Sequence, residues 1–167
     1  MSTPQKEIVV LETTKGNIEI ELNRTQAPAT VENFLKYVKD GFFDGTIFHR
    51  IIPDFMIQGG GFTPDCKQKR TRQSIKLESN NGLKNTAGTI AMARTNDPDS
   101  ATSQFFFNLI DNSFLNSSPG NQGYAVFGSV TAGMENVKAI ATVKTGSLGT
   151  HQDWPKEDII IKQAYMK

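Results

Sequence analysis

The sequence predicts a mainly β protein, an antiparallel barrel or sandwich whose open ends are plugged by two helices. Three observations predict it. Short β-like runs recur along the chain, with Gly, Asn, Pro, Asp and Ser crowded between them. Only two segments switch to a helical period. Consecutive parallel βαβ units are absent, so the strands must pair mainly antiparallel.

The elements follow in order. Residues 8–13 (IVVLET) and 17–22 (NIEIEL) read as strands; in the second, Ile18, Ile20 and Leu22 alternate with Asn17, Glu19 and Glu21, the pattern of a sheet with one wet face. The intervening TKGN reads as a hairpin turn, with Gly16 free to take positive φ. Over 27–39, Val31, Phe34, Leu35 and Val38 fall on one helical stripe. Pro28 suits the first turn, Thr25 is the expected N-cap, and Gly41 the expected stop. Strand-like runs then return at 46–52, 55–58, 88–93, 104–109 and 125–130. A shorter helix fits 133–143, where Met134, Val137 and Ile140 share a face, and DIIIKQAYM closes the chain as a last strand. His151 to Asp158 is read as a surface turn.

Composition removes several functions. The 167 residues suit one domain, 1–167. With 18 Lys+Arg against 17 Asp+Glu, no overall field draws the chain to nucleic acid or a membrane. No apolar run approaches the roughly 20 residues of a membrane span, and Ile8 to Leu11 is too short for a signal-peptide core, so a cytoplasmic protein is expected. Two histidines and one cysteine, Cys66, offer no paired metal-ligand spacing and no disulfide.

The unusual chemistry lies in three patches. Residues 48–61 (FHRIIPDFMIQGGG) set an Arg, a His and a Gln among large apolar residues; strand alternation places Phe48 and Arg50 on one side and His49 on the other. Residues 103–108 (SQFFFN) set amides beside aromatics, and Phe114-Leu115 is followed by Tyr124. There is no nucleophile beside a base, no carboxylate pair in the apolar stretches and no phosphate loop. What survives is chemistry needing one cation, hydrogen bonds and an apolar hole, with no covalent step.

FHRIIPDFMIQGGGF, SQFFF and YAVFG, in this order and separation, resemble the cyclophilin family of peptidyl-prolyl cis-trans isomerases over nearly the whole chain. NNGLKNTAGTIAMAR and HQDWPKEDIII are similar to the short bacterial cytoplasmic members. The resemblance implies a closed eight-stranded antiparallel β-barrel capped by two α-helices, a peptide groove on its outer surface, and no cofactor. It implies Arg50 as the catalytic arginine, with His49 and Gln58 beside it. Phe55, Met56, Phe106 and Leu115 match the proline pocket, Gln104 an amide that holds substrate backbone, and Ala93 and Arg94 groove positions. Phe114 stands where many eukaryotic members have Trp, and Tyr124 where many have His. Phenylalanine lacks the indole N–H that serves cyclosporin, so cyclosporin binding is expected to be weak. Proline-containing peptides and partly folded proteins are the implied partners, and a monomer is expected.

Each residue also has a plainer reading. Alone, Arg50 is a strand residue with a surface ion pair, His49 a structural histidine, and Phe55, Met56 and Phe106 ordinary core. Lys67, Lys69, Arg70 and Arg72 read as a solvated loop beside a bystander Cys66. Trp154 has no assignment. Two other functions remain in view: a proline-peptide binding module or holdase that needs no turnover, and a lipocalin-like barrel. Bulky Ile, Phe and Val would fill the interior of the latter.

Overall fold

The computed structural model describes residues 6–167. Its order is β1 (Glu7–Thr13), β2 (Gly16–Leu22), α1 (Pro28–Lys39), β3 (Ile47–Ile52), β4 (Met56–Phe62), β5 (Thr89–Met92), β6 (Phe105–Asn108), a 3-10 turn (Ser113–Leu115), β7 (Val126–Ala132), α2 (Met134–Ile140), β8 (Thr145–Leu148), β9 (His151–Pro155) and β10 (Ile161–Met166). Eight strands form one sheet in the order β10-β1-β2-β7-β5-β6-β4-β3, every adjacent pair antiparallel.

The expected closed barrel is not formed. The sheet is an open, strongly curled half-barrel, and at its seam an isolated bridge pairs Ile47 of β3 with Ile160, just before β10. Backbone bonds cross that seam from Gly45 and Phe48 to Ile161 and Ile159, and from Ile161 back to Thr46. They stop there, so no continuous ladder joins β3 to β10. Periodicity reports which face of a strand is buried, not whether the two edges of a sheet find each other.

The concave side holds the core. Val9, Leu11, Ile18, Ile20, Phe48, Ile57, Phe105, Phe107 and Phe127 are fully buried there. Helix α1 lays Val31, Phe34, Leu35 and Val38 into one end, and α2 contributes Val137 and Ile140. Phe105 meets Phe34 and Phe43 edge to face at 5.6 and 5.4 Å, pairs worth about 1 kcal/mol each beyond area burial.

Local chemistry departs from expectation at two places. Helix α1 has Ala27, not Thr25, at its N-cap and no capping side chain of its own. The Glu78 carboxylate serves instead, accepting from the Thr30 N–H (2.7 Å), the Thr30 hydroxyl (2.6 Å) and the Ala29 N–H (3.3 Å). A cap supplied from 48 residues away leaves no local sequence signal. The segment read as a surface turn from His151 contains β9, which pairs with β8. Trp154 lies on that hairpin, only 6% exposed, packed with Ile47 and Phe62. The basic run is a solvated loop as expected, with Lys67, Arg70 and Arg72 exposed; Lys69 donates to the Phe42 carbonyl and sits over its ring, and Arg72 pairs with Asp40.

Candidate active site

A β-bulge sets the site. Across β3 and β4, Phe48 faces Gly59 and Arg50 faces Gln58, with the register shifting between them. Gly59 and Gln58 are neighbours and point to opposite faces, so Phe48 and Arg50 do too. This corrects the same-side expectation: His49 is the extra residue that breaks the alternation. Phe48 is fully buried in the core, while Arg50 is exposed on the convex surface.

The register then builds one row across five strands on that outer face: Arg50, Gln58, Phe106, Ala91 and Val126. Met56, Phe106, Ala91, Leu115 and Val126 form a second apolar cluster outside the half-barrel, edged by Phe55, Ala93 and Tyr124. These residues form a groove enclosing about 140 Å³, lined by Arg50, Phe55, Met56, Gln58, Ala93, Arg94, Phe106, Leu115 and Tyr124. Cofactor and drug pockets run to roughly 300–1,000 Å³, so this notch suits a small ring or side chain.

Polar groups are fixed around it. Gln58 Nε2 donates to Gln104 Oε1 at 2.8 Å, which places Gln104 at the groove although it does not line the cavity. Gly60, with φ of +93°, lets β4 run close to Ser103; an added Cβ would stand 2.8 Å from the Ser103 carbonyl. Arg94 folds back, its Nε and Nη2 donating to the Gly123 carbonyl and its guanidinium 4.5 Å from the Tyr124 ring centre. Arg50, by contrast, makes no hydrogen bond or ion pair with any described side chain. Phe114 is 64% exposed and stacks on Phe55 at 5.7 Å, forming a rim beyond the cavity.

His49 is not brought to the groove. It is 6% exposed beneath the β8–β9 hairpin, with its ring 4.5 Å from Phe62 and 6.0 Å from Trp154. Its Nδ1 has no hydrogen-bond partner. Burial, reinforced by the positive charges of His151 and Arg50, pushes its pKa down to about 4, so the ring is neutral near pH 7.

One feature of the site had no signal in the sequence: three buried asparagines, Asn85, Asn108 and Asn112, lie behind the groove wall. A larger, shallow hollow of about 960 Å³ lies beyond Leu83, but its walls carry already paired charges such as Arg24 with Glu7. Among the described residues no three His, Cys, Asp or Glu side chains converge to hold a metal. No helix among them is long and apolar enough to cross a membrane.

Fold and groove together define a class: a curled β half-barrel with two helices that presents an apolar notch beside a guanidinium, unpaired among the described residues, on its outer wall. The comparisons give that class its family. Residues 8–166 match the model for cyclophilin type peptidyl-prolyl cis-trans isomerases. The chain is 58% identical over 159 residues to a peptidyl-prolyl cis-trans isomerase of Streptomyces antibioticus, covering 93% of this chain and 96% of that one. It is 55% identical over 158 residues to peptidyl-prolyl cis-trans isomerase B of Escherichia coli, with the same coverage of 93% and 96%. A cyclophilin type isomerase of Cryptosporidium parvum superposes with a TM-score of 0.80 at 26% identity, over 98% of both chains. A second structure of that protein, determined in the presence of the dipeptide Ala-Pro, gives 0.78 at 26% identity over 96% and 98%. The chain belongs to the cyclophilin family of peptidyl-prolyl cis-trans isomerases.

Proposed function

We propose that this protein speeds rotation about Xaa-Pro bonds in peptides and partly folded proteins by directing the Arg50 guanidinium at the prolyl nitrogen. An Xaa-Pro amide favours trans by only about 0.5–1 kcal/mol, yet its rotation barrier is near 20 kcal/mol. The barrier is the resonance lost when the bond twists. At the twisted state the nitrogen becomes pyramidal and regains a lone pair. A guanidinium N–H placed there stabilises the twisted state and barely touches the planar ones, which is the condition for catalysis. Arg suits the task because it stays charged and its donors are rigidly set.

The observation that carries this reading is the exposed Arg50, without a partner among the described residues, beside the apolar notch of about 140 Å³. Phe55, Met56, Phe106 and Leu115 grip the pyrrolidine ring, so the carbonyl side turns. Gln58 and Gln104 hold the substrate backbone, with Ala93, Arg94, Tyr124 and Phe114 as further walls. No proton moves in this scheme, so His49 acts by packing with Phe62 and Trp154 rather than as an acid or base.

The test is an NMR-exchange assay on a short Xaa-Pro peptide. Wild type should exceed the uncatalysed rate, and Arg50→Ala should lower kcat by about 10²–10³-fold, the usual loss for one transition-state donor, with the fold intact. Equal rates for the two proteins overturn the role of Arg50. Rescue of a cellular phenotype by Arg50→Ala would favour the holdase reading.

A further inference from the structure

Behind the groove runs a chain of side-chain amides. Asn112 Nδ2 donates to the backbone carbonyl of Phe55 (3.0 Å) and to Asn108 Oδ1 (2.9 Å). Asn108 Nδ2 donates in turn to Asn85 Oδ1 (3.0 Å) and to the Thr89 hydroxyl (2.9 Å). Asn85 Nδ2 reaches the carbonyls of Leu115 (3.1 Å) and Tyr124 (3.4 Å), and Asn116 Oδ1 (3.2 Å). All three asparagines are at most 1% exposed.

The end points of this chain are groove residues. Phe55 forms one rim, while Leu115 and Tyr124 form the facing wall. Phe55 and Leu115 lie outside β4 and β6, each anchored by one backbone bond to its carbonyl, from the Leu109 N–H (3.0 Å) and the Tyr124 N–H (2.9 Å). The amides add a second bond to each of these carbonyls and join the two segments to each other. Asn108 and Asn112 each spend both N–H groups on two acceptors, and Asn85 divides its two among three, so losing one member strands the next. The wall-to-rim distance is therefore set by the whole chain at once.

We propose that Asn85, Asn108 and Asn112 are positioning residues that fix the width of the proline groove and so set its affinity for the ring. This rests on the groove being the proline site. The residues touch neither substrate nor Arg50; they act through the carbonyls of Phe55, Leu115 and Tyr124. Their effect falls on ground state and transition state alike, since the ring stays seated while the carbonyl side turns.

The experiment compares wild type, Asn112→Ala and Arg50→Ala on one Xaa-Pro peptide, separating binding from turnover by NMR titration and exchange. Asn112→Ala should weaken binding about tenfold and change kcat less than twofold, the signature of lost uniform binding. Arg50→Ala should show the reverse split. A fall in kcat with binding unchanged, or no change in either beside a lowered Tm, overturns the proposal. A second readout uses the wild-type protein, so folding of the variant does not matter. The side-chain amide resonances of Asn85, Asn108 and Asn112 should shift when the peptide saturates the groove; resonances that stay still overturn it. If the wild type binds the peptide but does not isomerise it, the isomerase mechanism fails while the binding arm still decides the role of the asparagines.

Discussion

Gln58 and Gln104 are joined amide to amide at 2.8 Å, and Gln58 also stands directly opposite Arg50 on the neighbouring strand. The bond gives each amide one committed group and leaves Gln58 Oε1 and Gln104 Nε2 for a peptide backbone, which needs both an acceptor and a donor. A pair locked this way acts as one unit.

Gln58→Leu should lower kcat/KM about tenfold, because a backbone hydrogen bond and the orientation of Gln104 go together. Gln104→Ala should cost a similar factor, and the double variant little more than the worse single one. A double variant whose loss is the product of the two would show that the amides act independently.

His49 links stability to pH. Its folded pKa is about 4, below the ordinary value of 6.5, so the unfolded chain binds the proton more readily. The neutral ring's contribution is fully present above pH 6.5 and fades as pH falls toward 4, by up to about 3 kcal/mol. In urea melts between pH 7.5 and 4.5, wild type should lose stability relative to His49→Leu as pH falls. Parallel slopes would show that His49 is not the group responsible.

Trp154 packs on Ile47 and Phe62 and covers His49. Trp154→Ala should cost about 3–5 kcal/mol, the range for truncating a large buried aromatic. Opening the site to water should also raise the His49 pKa, read from its ring proton shifts in an NMR titration. An unchanged titration would mean that other neighbours keep the ring dry.

Phe114 is exposed and stacked on Phe55, so a larger indole fits without displacing core. Phe114→Trp adds a donor at the groove rim and should tighten cyclosporin about tenfold, measured by calorimetry. Affinity equal to wild type would show that the missing N–H is not what limits binding.

The strands of the main sheet and both helices were legible along the chain, because alternation and the 3.6-residue stripe record burial directly, whereas only the resemblance moved Phe55, Met56 and Phe106 from the core to a groove. Gly41 falls where the first helix ends, and Gly16 takes φ of +113° at the hairpin, as local steric rules require. The resemblance added Arg50, Gln58 and Gln104 as a set, which spacing alone could not group.

Tertiary structure decided the rest. The bulge at His49 turns Arg50 outward, and a bulge is a property of two strands in register, not of one. The Glu78 cap, the packing of Trp154 on Ile47 and Phe62, and the asparagine bond to the Phe55 carbonyl each join residues far apart in sequence, so no local window contains both partners. The open seam between β3 and β10 was out of reach for the same reason. Sequence determines which faces are apolar and which turns are possible; only the assembled chain determines which edges meet and which donors find acceptors.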